Sequence, residues 1–159
     1  DNTAATFNLG DDAADKQYRA ILSFNTAGLP DNAVIKKVTL KIRKQGLIGT
    51  DPFTTHGSLM AEIRKPFLGL SAALVIGDFN ATVDKVAGLF GLTPVNNWYS
   101  VTVGAASYPY VNLLGTTQFR LRFQKDDNND NIADFMRFFS GDHATTSARP
   151  TLIIEYTVP

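Results

Sequence analysis

The chain contains no cysteine, which excludes a disulfide framework, thiolate metal sites and a cysteine nucleophile. No apolar run approaches the ~18 residues that cross a bilayer as a helix, so no membrane span is expected. Excess charge of either sign is missing as well. Fifteen Lys and Arg balance fifteen Asp and Glu over 159 residues. A nucleic-acid binder ordinarily carries a basic excess, so no nucleic-acid partner is expected. Histidine is scarce: His56 lies in a Thr-rich loop and His143 follows Asp142. Two isolated histidines read as surface residues. No Gly-x-Ser-x-Gly elbow supplies a nucleophile, and no glycine cluster followed by Lys cradles a phosphate. The expectation is a protein that is not an enzyme. The chain opens on Asp1, Asn2 and Thr3; no leader is read there, and a mature chain or an excised domain is expected.

Glutamate is nearly absent: thirteen acids are Asp, against Glu62 and Glu155. Glu favours helices, whereas Asp favours turns and caps. With eleven Phe and five Tyr, the composition leans toward strands joined by polar loops. Hydrophobic residues reach 44% and charged residues 19%, enough apolar side chain to build a core.

Period-two alternation marks seven strands. They run over residues 18–25, 34–44, 59–64, 98–103, 119–124, 135–140 and 151–157. Tyr18, Ala20, Leu22 and Phe24 share one face of the first; Val38, Leu40 and Ile42 share one face of the second. Residues 27–32, Ala-Gly-Leu-Pro-Asp-Asn, form a turn cluster between those two. One short helix is expected over 78–86, with Asp78 as N-cap. The rest of 66–97 is a long excursion covering an end or edge. Many strands with little helix predict a single all-β domain over 1–159, an antiparallel jelly-roll-like β-sandwich.

Several segments follow one another in a definite order. Tyr18-Arg19-Ala20-Ile21-Leu22-Ser23-Phe24 precedes Ala27-Gly28-Leu29-Pro30, and Ala33-Val34-Ile35 leads into Val38-Thr39-Leu40. Met136-Arg137-Phe138-Phe139-Ser140 and Ala148-Arg149-Pro150-Thr151-Leu152 close the series. In this the chain resembles the DNRLRE-type modules of secreted bacterial and archaeal proteins, related to family 96 carbohydrate-binding modules. The resemblance spans roughly residues 7–158. It implies a jelly-roll sandwich, an extracellular or cell-surface location and no catalysis, with acidic polysaccharide such as alginate as the ligand of some relatives. Such modules usually begin with a strand upstream of the segment found here at Thr6-Phe7-Asn8-Leu9-Gly10, and that strand is not evident. A sandwich short of a strand exposes backbone groups and an apolar slot that another chain can fill.

Three sets of candidate residues emerge. Asp126, Asn128, Asp130, Ile132 through its carbonyl, and Asp134 fall at positions 1, 3, 5, 7 and 9 of an oxygen-rich loop, a spacing that can wrap Ca²⁺. Asn131 stands at position 6 instead of Gly, and Arg137 at position 12 instead of Glu, so a complete EF-hand is excluded. Asp11, Asp12 and Asp15 form a weaker acidic cluster that can hold a second ion or assist the first. The bland reading is a solvated hairpin loop with Asx turns. Outward strand positions carry Arg19, Lys41, Arg43, Arg64, Arg120, Arg122 and Arg137. Of these, Arg19, Arg120, Arg122 and Arg137, with Phe135 and Phe139, are expected to form a face for anionic glycans, since guanidiniums grip carboxylates and sulfates bidentately. Ordinary solubility is the competing reading. Trp98 is a further candidate sugar platform, read more readily as packing. Finally, Ala5, Phe7 and Leu9 alternate as an inward strand face does. That segment either stays in its own sheet or completes a neighbour's, building a filament or surface layer. A polysaccharide-binding module and a self-associating structural subunit are therefore the two function classes in play.

Overall fold

The computed structural model describes residues 2–159. It is an antiparallel β-sandwich. Strands β1 (Thr6–Asp11), β2 (Gln17–Tyr18), β4 (Val34–Gly49), β7 (Trp98–Thr102), β9 (Asp134–Phe139) and β10 (Thr151–Thr157) form one sheet, ordered β10-β4-β9-β1-β2 with β7 also paired to β4. Strands β3 (Ala20–Asn25), β8 (Thr116–Phe123), β5 (Leu59–Arg64) and β6 (Lys85–Leu89) form the other, ordered β3-β8-β5-β6. Among the described residues no helix is long and apolar enough to cross a membrane.

The alternation read from the sequence sets the inner faces. Val38, Leu40 and Ile42 of β4, Leu9 of β1 and Met136 and Phe138 of β9 are fully buried. They pack against Leu59, Ala61 and Ile63 of β5 and Phe119 and Leu121 of β8 across the sandwich. Each large buried side chain contributes roughly 1.5–3 kcal/mol by leaving water. Phe7 stacks on Phe138 at 5.5 Å and thereby ties β1 to this core. Ala5 precedes β1 and is exposed, so the inward alternation begins at Phe7.

Three elements differ from the sequence expectation. The strand expected over 18–25 is broken at Arg19: β2 pairs with β1 in one sheet and β3 pairs with β8 in the other. A two-fold periodicity does not register a strand that changes sheet at a corner. β4 runs on past residue 44 to Gly49, through a register shift between Lys44 and Gly46, and its second half pairs with β9. The helix expected over 78–86 is absent. A 3₁₀ turn covers Ile76–Asn80 and β6 follows, paired with β5. Asp78 does not cap a helix; its carboxylate accepts the Val75 N–H at 2.9 Å and closes the turn. Tertiary pairing along the β5 edge overrides a weak local preference.

Candidate functional site

The cations expected to share a face lie on the outer surfaces of two different sheets. On the four-stranded sheet, Arg120 and Arg122 project from β8, and Arg19 sits at the β2–β3 corner. Glu62 of β5 stands across from Arg120 in register. Its carboxylate accepts from Arg120 Nε at 2.7 Å and lies 3.1 Å from Arg122 NH2. Arg120 also donates to the carbonyls of Phe79 and Ala81 at 3.1 and 2.7 Å. Arg19 donates to Phe79 O at 2.5 Å, pairs with Asp126 at 3.1 Å and lies over the Phe79 ring. Burial pushes the Arg19 guanidinium below its ordinary value, and Asp126 opposes that shift. These three arginines are occupied in holding the 66–84 excursion and the 126 loop onto the sheet. They are not free for a ligand.

The outer face of the six-stranded sheet is different. Register places Arg137 between Asn8 and Gly46, and Arg43 opposite Trp98. The Arg43 guanidinium lies 6.0 Å from the Phe139 ring centre, and Lys41 Nζ lies 5.2 Å from that of Trp98. Phe139, Arg43, Trp98 and Lys41 thus form a continuous row of alternating rings and cations, with Arg137 on the strand beside it. All five are partly exposed. Among the described residues Arg137 makes only a 3.4 Å bond to Asn8, and none of Lys41, Arg43 and Arg137 is ion-paired. Phe135 belongs to the same face but is buried, edge-on to Tyr18 at 5.3 Å. It supports the face rather than offering a free ring. Lys41, Arg43 and Trp98 thus join Arg137 and Phe139 where Arg19, Arg120 and Arg122 were expected. Their alternation was visible in the sequence; which strands share a sheet was not.

The 126–134 loop closes on itself. Asn128 Nδ2 donates to Asp130 and Asp134 at 2.8 and 3.0 Å, Asp130 N donates to Asn128 Oδ1 at 3.2 Å, and Ile132 N donates to Asp130 Oδ1 at 2.8 Å. Asp126 turns away to Arg19 and Arg122. Asp134 is fully buried and sits opposite Asp11 in register. Asp15 accepts the Asn131 N–H at 3.1 Å, so the second acidic cluster does meet the first. Asp12 instead caps the β1–β2 turn. Its carboxylate accepts from Ala14 N and Lys16 N at 2.9 and 3.1 Å, and these bonds hold its pKa below the ordinary value. The residue that sequence reasoning missed is His56. It is 1% exposed, not a surface side chain, and its Nε2 lies 3.2 Å from Asp11 Oδ2. Only the fold brings residues 11, 56 and 134 together.

A groove of about 930 Å³ runs along the outer edge of β3, between residues 2–7, residues 74–79 and residues 140–150. β3 pairs with β8 on one side and, among the described residues, with no strand on the other. No family model matches the chain, and no curated protein matches it.

Proposed function

We propose that the protein is a non-catalytic extracellular binding module that takes acidic polysaccharide on the outer face of its six-stranded sheet. The observation that carries this reading is the row Phe139, Arg43, Trp98 and Lys41 with Arg137 beside it, cationic yet without carboxylate partners among the described residues. A chain of zero net charge has no bulk attraction for polyanions, so a local concentration of unpaired cations is a specific asset. Guanidiniums fit carboxylate and sulfate oxygens bidentately, and the rings offer apolar surface to a sugar's C–H face. The resemblance to carbohydrate-binding modules points the same way. Affinity electrophoresis tests it. At low salt the protein is expected to be retarded by a polyuronate such as alginate and not by a neutral glucan. Arg43→Ala with Arg137→Ala is expected to abolish the retardation, judged against mobility in a polymer-free gel. Equal mobility of the wild type in both polymer gels refutes the reading.

One observation favours a second reading, self-association. The free edge of β3 and the groove beside it can accept an extended strand from a second copy by β-augmentation. Ile76, 98% exposed, and its neighbours Leu74 and Val75 add apolar surface to that groove. β1 is paired along its whole length with β9 in its own chain, and with β2 at Gly10 and Asp11, and Leu9 is fully buried. An exchange of Phe7 and Leu9 into a neighbour therefore requires their own core sites to open.

A further inference from the structure

We propose that Asp11, His56 and Asp134 form a buried binding site for a first-row divalent transition ion of the Zn²⁺ or Mn²⁺ type, at the corner where β1, β9 and the 51–58 loop meet. One donor atom from each of the three lies within 4.8 Å of the others, and all three residues are buried. Asp11 and Asp134 are directly opposite each other on β1 and β9, a placement that is unfavourable for two like charges. No Lys or Arg reaches either carboxylate among the described residues. Asp134 receives the Thr50 N–H at 3.2 Å and the Asn128 amide at 3.0 Å. Asp11 Oδ2 receives only the Asn128 N–H at 3.3 Å. Buried charge of this kind persists when it is paired or coordinates a metal.

Two buried atoms of these residues lack a hydrogen-bond partner, one on the acidic pair and one on the histidine. Asp11 Oδ1 is buried with no hydrogen-bond partner. His56 Nε2 is also buried without one: it is 3.2 Å from Asp11 Oδ2 but lacks the alignment of a hydrogen bond. That spacing suits two donors on one ion, since bonds of about 2.1 Å place neighbouring donors roughly 3–3.5 Å apart. His56 Nδ1 lies 2.7 Å from Thr55 Oγ1. Donation from Nδ1–H to that hydroxyl leaves Nε2 with its lone pair toward the carboxylates, as a metal-binding imidazole requires. An imidazolium in the same place balances only one of the two carboxylates.

The local backbone is shaped to bring the donors together. Gly10 has φ +122° and Gly49 has φ +70°; a Cβ on either runs into the carbonyl of Asp134 or Ala133. The short helix α1 (Pro52–Thr55), capped by Asp51 accepting the Phe53 N–H at 2.9 Å, delivers His56 at its end. Two carboxylates and one imidazole suit Zn²⁺ or Mn²⁺, whereas Ca²⁺ takes six to eight oxygens.

The test is thermal unfolding of chelator-treated, dialysed protein with Zn²⁺, Mn²⁺, Ca²⁺ or no added ion, together with the bound-metal stoichiometry. Zn²⁺ or Mn²⁺ is expected to bind one per chain and raise Tm, since a ligand of the native state alone stabilises it. His56→Gln is expected to remove that rise, and Thr55→Val to weaken ion affinity about 10- to 100-fold through the lost support of the ring. The wild type loaded with Co²⁺ supplies a readout that needs no variant: one hyperfine-shifted, exchangeable imidazole proton is expected in its NMR spectrum. Identical melting with every ion overturns the proposal. So does a rise produced by Ca²⁺ alone and retained in His56→Gln, which assigns the ion to the oxygens of the 126–134 loop instead.

Discussion

Glu62 is 2% exposed and meets two guanidiniums, Arg120 Nε at 2.7 Å and Arg122 NH2 at 3.1 Å. Arg120 is itself buried, and its NH1 group donates to carbonyls of the 66–84 excursion. A buried ion pair of this kind is costly to break from one side, because the surviving charge has no water to turn to. Glu62→Gln keeps the shape and removes the charge. It is expected to destabilise the protein by about 3–5 kcal/mol in urea unfolding, with glycan retardation of the folded fraction unchanged. A loss below about 1 kcal/mol, the value typical of an exposed pair, contradicts the assignment of Arg120 to structure. The sequence placed Arg120 on an outward strand position, and it does point outward from the core. Period two says nothing of what covers that face, however, and here a loop does. His56 shows the same boundary. A lone histidine in a Thr-rich loop carries no periodic signal, and its partners lie 45 and 78 residues away in the chain.

Strands were the most legible elements, because one buried face imprints alternation on each of them. Residues 59–64 and 151–157 match β5 and β10 to the residue. Where a strand changes sheet at Arg19, or slips register between Lys44 and Gly46, alternation continues or lapses without marking the event. The helix expected over 78–86 rests on Asp78 as a cap, and that stretch instead holds the end of the 76–80 turn and the start of β6. Val86 is in fact exposed and Ala87 buried, the alternation of a strand. The free edge of β3 is an element-scale liability of the kind proteins usually cover or charge. If it accepts a second copy, Ile76→Asp is expected to abolish concentration-dependent association in sedimentation velocity while leaving Tm unchanged. Wild type that stays monomeric at millimolar concentration, with the variant indistinguishable from it, removes the self-association reading.

At the scale of the whole molecule, zero net charge conceals an uneven distribution. On the four-stranded side, Arg19, Arg120 and Arg122 each pair with Glu62 or Asp126, and Arg19 and Arg120 also donate to carbonyls of the covering loop. On the six-stranded sheet, Lys41 and Arg43 lie against rings and Arg137 against the Asn8 amide, none of them against a carboxylate among the described residues. The sandwich class was readable from composition and alternation. The division of cations between an engaged face and an open one was not, because it depends on which strands share a sheet. The chain's single tryptophan, Trp98, lies within the open row, under Lys41 and beside Arg43. Its fluorescence is therefore the most direct test of the binding face. Titration with a uronate oligosaccharide at low salt is expected to change the emission saturably, with the apparent affinity falling as salt rises, since exposed charges are screened. A neutral oligosaccharide of equal length is expected to leave the emission unchanged. Trp98 emission that does not respond to the uronate, under conditions where the protein is retained by the polymer, contradicts the account and moves the ligand off this face.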